Sequence, residues 1–506
     1  MTIKNPLILI ILFAACLRII AAFYSEGYLM HDDHFWVVES SASWADGYDY
    51  NNWLPSSQEK LGREPSPHYT NLFYSSLHYL YFECVNSIGL NNPNSKALLL
   101  RIIHGLLSLI PVALSYKITE KLGGTKPAVW AGLMMASLAW SPILSVHQLV
   151  EVSCIIPLLA FSWVLAKNEW TLKTLAIAGM WLGIATGLRY QVGMMGLGLV
   201  VAFAITNGKE WIKYSLIAGG SALLTFSLTQ VPTDLLLWGE PFAQLRAYID
   251  YNLNSSGEYP QGSMLTYLFV ILMMVAPPIS IYFFYGYLKS AKKYAWLVLP
   301  SLAFILFHTL FPNKQERFII PAIPYVVMVG ALVWHKENRN KILSKAIVVL
   351  SIFINVILLA PLCFTSKNTS QLNAMNFLRE QGDVESFLYV ETDGNAFAPR
   401  FYLDKWVSYT VANEGTIVKD QRVKHCNDES IIKPNYLVFV GDSHLGEYVN
   451  AFKSSYKSME YMGQFGPSRA DRFLNYLNPR IAIKRSMIYK IDPTLECSEL
   501  TRGKIE

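Results

Sequence analysis

Met30-His31-Asp32-Asp33-His34-Phe35-Trp36-Val37-Val38-Glu39 stands a few residues beyond Pro6–Tyr24, an apolar segment about long enough to cross a bilayer. Two adjacent carboxylates and two histidines therefore sit where the chain leaves hydrocarbon. Phe35, Trp36 and Trp44 follow, and amphipathic rings are favoured at that interface. Taken alone, such a stretch also fits an ordinary solvated surface loop. The rest of the chain argues against that plain reading.

Of the 506 residues, 52% are hydrophobic and only 16% charged. A soluble chain of this length exposes more charge, and repeated apolar runs near the bilayer-spanning length predict a polytopic membrane protein. The net charge of +5 is small and spread out, which suits membrane topology and not a nucleic-acid partner. Cys16, Cys84, Cys154, Cys363, Cys426 and Cys497 form no C-x-x-C pair, so there is no zinc- or thioredoxin-type signal. Cys426 and Cys497 both fall in the polar tail. They are read either as a bridge, if that tail lies outside the cytoplasm, or as free thiols. The first apolar segment is too long for a signal peptide and lacks a clear small-residue cleavage site, so it reads as a retained first helix.

A long polar loop, about 25–70, follows that helix and carries Glu26, Asp32, Asp33, Glu39, Asp46, Asp49, Arg63, Glu64 and His68, with Trp44 and Trp53. An aromatic stretch at 72–90 reads as lying along the membrane surface. Further spans are expected near 98–118, 128–146, 154–165 (starting nearer Gln148), 175–188, 192–206, 214–231, 264–288, 295–311, 318–334 and 342–364. That makes about 11 transmembrane helices. Lysines and arginines fall in alternate short loops: Lys117, Lys121 and Lys126; Lys167 and Lys173; Lys209 and Lys213; Lys289, Lys292 and Lys293; Lys336, Arg339, Lys341 and Lys345. These are the cytoplasmic loops by the positive-inside rule, and Lys4 puts the N-terminus with them. The Asp32 loop, 234–263, 312–317 and the polar tail then lie outside. No inverted repeat of the transporter kind is visible.

From about Lys367 the composition changes. Ser386–Glu391 and Tyr436–Val440 read as strands ending in the turns Thr392-Asp393-Gly394 and Gly441-Asp442-Ser443. Gly441-Asp442-Ser443-His444 lacks the Gly-x-Ser-x-Gly pattern of a nucleophile elbow and reads as a strand-ending turn. The expected organisation is mainly α: a transmembrane catalytic domain over 1–365 with its long outer loop at 24–90, then a small extracytoplasmic α/β domain over 366–506.

Charges bordering hydrocarbon are costly, so they usually line a cavity or bind something. On the outer side these are Arg18, Arg101, His104, His147, Glu151, Arg189, Lys314, Glu316 and Arg317, with Asp32, Asp33 and Glu39 in the same leaflet. Carboxylates suit abstraction of a hydroxyl proton. Arginine and lysine suit phosphate, bidentately for arginine. Together they fit a lipid-phosphate donor arriving from the bilayer and a hydroxyl acceptor arriving from water. Interfacial snorkelling is the plain alternative and stays open for Arg18 and Arg101.

Several blocks resemble, in order, the glycosyltransferase family 22 mannosyltransferases, which build dolichol-linked oligosaccharides and GPI anchors on the GT-C membrane fold. Asp32-Asp33-His34-Phe35 with Glu39 is similar to the family's Asp-Glu-x-(Phe/Tyr) followed by Glu, with Asp33 for the family's Glu and His31 for its preceding Pro. Gly47-Tyr48 with Trp53 resembles its Gly-Tyr…Thr-Trp region. Glu151 stands like the Glu of its Ser-Asn-x-x-Glu run, with His147-Gln148 for Ser-Asn. Thr186-Gly187-Leu188-Arg189 resembles its Arg-Pro-Thr span entry, with Tyr190-Gln191 for Pro-Thr. Asp234…Trp238-Gly239 resembles its Asp-x-x-(Phe/Tyr)-Tyr-Gly, and Asn252 with Tyr259 its following Asn and Tyr-Gly. The most specific block runs from His308 through Asn313-Lys314-Gln315-Glu316-Arg317-Phe318 to Pro321 and Pro324. It resembles His-Lys-Glu-x-Arg-Phe-x-x-Pro-x-x-Pro, with Asn313 for the His and Gln315 for the first Glu. The resemblance spans about 30–334.

This resemblance implies a GT-C-type fold and inverting transfer of a sugar, mannose favoured, from a polyprenyl-phosphate donor to a glycan or glycolipid acceptor. Asp32 would be the base on the acceptor hydroxyl, with Asp33 its neighbour and either one a candidate. Lys314, Arg317 and Arg189 would hold the donor phosphate. His31, Glu39, Glu151, Asp234, Asn252 and Glu316 would support, Glu316 by orienting or pairing with Arg317. No cofactor and no metal is required, because basic side chains neutralise the phosphate. No glycine-rich nucleotide loop precedes a strand, which fits a lipid-linked donor. Membrane lipids are partners and nucleic acid is not. A lipid or sugar-lipid transporter and a non-catalytic scaffold are the competing classes. The departures at motif positions, and the lack of an ER retrieval signal in Gly503-Lys504-Ile505-Glu506, favour a bacterial inner-membrane enzyme of the cell envelope over an ER one.

Overall fold

The computed structural model describes residues 5–167, 169–255, 261–337, 342–391, 397–413, 418–428, 431–441, 445–479 and 483–502. Lys4, Tyr259, Arg339, Lys341, the Thr392-Asp393-Gly394 turn and Asp442-Ser443-His444 lie outside the described residues. The chain forms two units. The first comprises Met1–Phe23, Asn51–Leu77 and Leu99–Cys363; the second comprises Tyr24–Tyr50, His78–Leu98 and Phe364–Glu506.

Pro6–Tyr24 is helical over its whole expected length. Among the described residues, Pro6–Tyr24, Pro93–Gly123, Val150–Lys167, Glu316–Glu337 and Ile342–Cys363 are long and apolar enough to cross a membrane, and a bent pair makes a sixth. Shorter apolar helices cover Leu172–Leu188, Tyr190–Thr206 and Ala295–Leu310. The chain is therefore an integral membrane protein of helical fold. Among the described residues these full-length helices are fewer than the 11 spans expected, and several of the expected runs are broken. The stretch 264–288, expected as one span, is two helices, Thr266–Met274 and Ile279–Lys289, bent by 117°. Pro277 and Pro278 sit in that break and have no amide to continue the hydrogen-bond ladder. The stretch 128–146 divides into Thr125–Ser137 and Ser141–Val146, with Leu138 extended between them.

Arg18 resolves the snorkelling question by burial. It is 2% exposed, and its guanidinium donates to Ser108 Oγ (2.7 Å), the Ala136 carbonyl (2.8 Å), the Met135 carbonyl (3.2 Å) and Ser141 Oγ (3.0 Å). The two carbonyls belong to the last turn of Thr125–Ser137, where a helix leaves acceptors without intrahelical donors. Arg18 thus staples the first helix to the break at 138–140. Arg18→Met keeps the bulk and strands those carbonyls, each costing about 1–3 kcal/mol. The expected result is a lower melting temperature in detergent, and an unchanged melt would refute the staple.

Gly179, Gly183 and Gly187 recur every fourth residue of Leu172–Leu188 and lie against Trp211–Trp238. A Cβ at these positions would collide with the Ala218 carbonyl, the Ala222 carbonyl and Thr229 Oγ1 respectively. Small residues on one stripe let two membrane helices approach backbone to backbone. The stripe ends at Gly187, whose carbonyl accepts from Asn71 Nδ2 (2.6 Å) and Gln230 Nε2 (3.2 Å). That fixes where the helix stops, and Arg189 is the next residue but one.

The second unit holds a five-stranded sheet in the order β2-β1-β3-β5-β4. Its strands are β1 (Phe387–Glu391), β2 (Tyr409–Asn413), β3 (Tyr436–Gly441), β4 (Glu460–Phe465) and β5 (Arg485–Lys490). β1 is parallel to β2 and β3, whereas β5 is antiparallel to β3 and β4. β1 and β3 are buried along their whole length, which is why they read as continuous apolar runs. Leu388, Val390, Leu437 and Phe439 pack with Val449 and Phe452 of the helix Leu445–Ser455.

Cys426 and Cys497 are joined, with Cα atoms 5.2 Å apart. The bridge, between positions 71 apart in sequence, ties Val418–Asn427 to Pro493–Arg502, beside Arg422, whose Nη2 donates to the Glu496 carbonyl at 2.7 Å. A loop of that size predicts about 2–4 kcal/mol of stabilisation. The expected outcome is that a Cys426→Ser, Cys497→Ser chain melts lower. Cys16, Cys84, Cys154 and Cys363 are free thiols, so reduction should add two further alkylation labels, at Cys426 and Cys497, and labelling of either of those two without reductant would contradict the bridge.

Candidate functional site

In the second unit, Asp32–Glu39 is a π-helical turn that runs directly into the helix Ser40–Ala45. The stretch expected as loop is thus helical. A π turn closes from i to i+5, so residues five apart stack, and such turns are frequent at functional sites. His34 and Glu39 have that spacing, and His34 Nε2 lies 3.2 Å from Glu39 Oε1. Glu39 is fully buried, and the same oxygen accepts the Phe401 amide at 2.7 Å. Ser40 Oγ (3.0 Å) and the Tyr50 hydroxyl (2.7 Å) both donate to the Phe35 carbonyl, which holds the wide turn in place.

The two aspartates part company on this turn, because successive helical residues point in different directions. Asp33 is 2% exposed and its Oδ1 accepts the Met30 amide at 3.0 Å. Asp32 is half-buried. His34 stacks on Tyr28 (centroids 4.6 Å) and on Tyr402 (5.6 Å), while His31 packs against Phe35 (4.8 Å) and Phe397 (4.6 Å). Tyr28 donates to Gln371 Oε1. Burial, with the Glu391, Glu39 and Asp33 carboxylates nearby, raises its pKa well above the usual phenol value, so it stays a neutral donor. The arrangement is one half-buried carboxylate beside two that are fully enclosed.

In the first unit three helix breaks bring charges together. Glu151 lies on the short helix Val150–Ser153, Arg189 in the extended link after Leu172–Leu188, and Arg317 in the 3₁₀ turn Glu316–Ala322. Arg189 Nη1 is 2.5 Å and Arg317 Nε 3.7 Å from Glu151 Oε1. Both guanidinium groups lie over the Phe318 ring, at 5.0 and 5.7 Å from its centroid. Arg317 Nε also donates to Gln315 Oε1 at 2.9 Å. Two cations and one anion leave a net positive charge. Nε and Nη2 of Arg189 are buried with no hydrogen-bond acceptor among the described residues. Buried donors without acceptors are costly, and on a guanidinium they suit an incoming anion.

The remaining expected residues have other company. Lys314 Nζ donates to the carbonyls of His308 (2.6 Å), Thr309 (2.6 Å) and Phe311, at the end of Ala295–Leu310. An ammonium has three donors, so the cation serves as a C-terminal cap, and desolvation lowers its pKa. Asp234 is fully buried at the end of Trp211–Trp238, facing the backbone amides at Phe242, Ala243 and Gln244 where the next helix starts. A carboxylate there complements a helix N-terminus. Asn252 Nδ2 donates to the Tyr248 carbonyl at 2.7 Å within its own helix. Glu316 is exposed. Sequence reasoning missed Phe318 as the platform under both arginines and Phe401 as a donor to Glu39. The first was legible, lying beside Arg317. The second was not, because it comes from 362 residues away.

The sequence profile of the Alg9-like mannosyltransferase family matches residues 9–393. GPI mannosyltransferase 3 of Yarrowia lipolytica is 22% identical over 329 residues, which cover 63% of this chain and 60% of that protein. The Dol-P-Man:Man(7)GlcNAc(2)-PP-Dol alpha-1,6-mannosyltransferase of Arabidopsis thaliana is 27% identical over 176 residues, 33% of this chain and 32% of the relative. The chain therefore matches less than two thirds of the length of either curated relative. Among solved structures, ArnT from Cupriavidus metallidurans bound to undecaprenyl phosphate superposes with a TM-score of 0.62 at 12% identity, over 95% of this chain and 97% of that one. The Archaeoglobus fulgidus oligosaccharyltransferase AglB, in complex with an inhibitory peptide and a dolichol-phosphate, gives 0.51 at 13% identity, over 90% and 72%. At these identities the likeness is one of fold.

Proposed function

The chain belongs to the Alg9-like mannosyltransferase family, and we propose on that basis that it is a hexosyltransferase. It moves mannose from a polyprenyl-phosphate donor to a hydroxyl of a glycan or glycolipid, with inversion, on the outer face of a bacterial inner membrane. The acceptor oxygen forms the new bond to the anomeric carbon as the bond from that carbon to the phosphate oxygen breaks. Asp32 takes the hydroxyl proton, and the polyprenyl phosphate leaves with the electron pair. Asp33, Glu39, His34 and His31 hold the turn that aims Asp32. Arg189 and Arg317 meet the negative charge that grows on the phosphate, where fixed donors are most effective. Lys314 adds positive charge while capping its helix, and Asp234 and Asn252 support the helices around Tyr248.

The observation that carries this reading is the buried Arg189 with two donor nitrogens unused, beside Arg317 and over Phe318. The Cys426–Cys497 bridge supports an oxidising, extracytoplasmic side for the second unit. The test supplies the purified chain in sealed lipid vesicles with polyprenyl-phosphate mannose, glucose or galactose and a pool of lipid-linked glycans. Labelled mannose should appear in the glycans. Movement of the donor between leaflets with no transfer from any sugar would replace this reading with a transporter.

A further inference from the structure

An aromatic and acidic shelf in the second unit is left unused by the chemistry above. Tyr48 and Trp406 stack nearly parallel, with centroids 6.2 Å apart and planes at 16°. Arg400, itself 5% exposed, lies behind them at 5.9 Å from the Tyr48 ring and 5.8 Å from the Trp406 ring, and donates to the Val407 carbonyl at 2.9 Å. A buried cation against both rings holds them from the inside. Trp406 Nε1 donates to Asp46 Oδ2 at 2.8 Å, and Asn86 Nδ2 to Asp46 Oδ1 at 3.2 Å. Asp46 is exposed all the same, and Tyr48 is 41% exposed. The result is a rigid ring face open to water with a fixed carboxylate at its edge.

We propose that this shelf binds a sugar of the acceptor, one that is not itself the reacting residue. The apolar C–H face of a pyranose matches an exposed ring, and its ring hydroxyls match a carboxylate that retains unused lone pairs. A membrane headgroup layer is the competing occupant of exposed Tyr and Trp. A carboxylate fixed at the ring edge disfavours it, since anionic headgroups repel that charge and attract cations. Arg400 is turned away from solvent behind the rings, where it reaches no headgroup. The proposal rests on the glycosyltransferase reading for the identity of the sugar, but binding is measurable without turnover.

The experiment uses the full chain in nanodiscs with three probes: methyl α-mannoside, α-1,6-mannobiose and maltotriose. Saturation-transfer NMR and tryptophan fluorescence report binding. Wild type should bind at least one oligosaccharide saturably. Tyr48→Ala should weaken that binding at least tenfold with an unchanged melting temperature, and Asp46→Asn several-fold. In the transfer assay Tyr48→Ala should raise the acceptor KM about tenfold with kcat retained. If wild type binds no probe, or the variants bind and transfer as wild type does, the shelf is not a sugar site. The chain has 13 tryptophans, so the Trp406 signal is taken as the difference between wild type and Trp406→Phe; if brominated lipid quenches that difference and added sugar leaves the quenching unchanged, the shelf belongs to the bilayer and the proposal falls. If sugar binding is lost in Tyr48→Ala yet wild type transfers from no donor, the shelf stands and the transferase reading fails.

Discussion

Asp32→Asn should lower kcat by about 10²–10⁴, the range by which a positioned general base accelerates proton transfer. The amide has nearly the size of the carboxylate and no useful basicity. Asp32 is half-buried, whereas Asp33 is 2% exposed and accepts the Met30 amide, so the two positions should separate by their access to an acceptor hydroxyl. Asp32→Asn should melt with wild type and bind donor normally, so the loss should appear in turnover alone. Asp33→Asn retains an oxygen for the Met30 amide and should lose much less activity. Asp33→Ala removes that acceptor and should loosen the turn, lowering both activity and stability. Single-turnover transfer from polyprenyl-phosphate mannose measures all three. If Asp32→Asn keeps more than a tenth of wild-type kcat while Asp33→Asn is dead, Asp33 is the base and the burial argument is wrong.

Glu151→Ala should cost about 3–5 kcal/mol, the usual consequence of stripping one partner from a buried ion pair. Its carboxylate lies 2.5 Å from Arg189 and 3.7 Å from Arg317, and removal leaves two guanidinium groups repelling one another over Phe318. The readout is thermal unfolding in detergent. Glu151→Leu combined with Arg189→Leu should recover part of the loss, because the closest buried pair becomes apolar and only Arg317, which still donates to Gln315 Oε1, remains as a cation. The double variant should nonetheless transfer no sugar, since Arg189 is gone. Recovered stability without recovered activity would separate scaffolding from phosphate binding. A Glu151→Ala chain that melts with wild type would show that the three charges are not held by one another.

Much of the helical scaffold was readable because hydrocarbon imposes a simple rule, that every backbone polar group pairs within its own segment. Pro6–Tyr24 and Ile342–Cys363 are almost wholly apolar and appear where expected. The breaks were harder. Leu138 and the Pro277-Pro278 step interrupt runs whose composition stays apolar, so hydropathy alone joined pieces that the backbone separates, whereas the break at Arg189 was legible from its charge. In the second unit β1 and β3 announced themselves as unbroken apolar strings. β2, β4 and β5 did not, since edge and half-exposed strands mix polar and apolar residues, as in Glu460–Phe465.

The candidate residues divide along the same line. Chain order alone singled out Asp32, Asp33, Glu39, Glu151, Arg189 and Arg317, because charges beside apolar segments are conspicuous. Their separate jobs came from tertiary structure. The π turn buries Asp33 and leaves Asp32 half-buried, and a single residue's difference in helical phase decides it. Lys314 looked equivalent to Arg317 in one short motif, yet its donors fold back on the end of its own helix while Arg317 reaches Glu151. The partners of Glu39 and of Arg189 lie far off in the chain. Which distant donor or acceptor arrives is settled by packing, and local sequence carries no record of it.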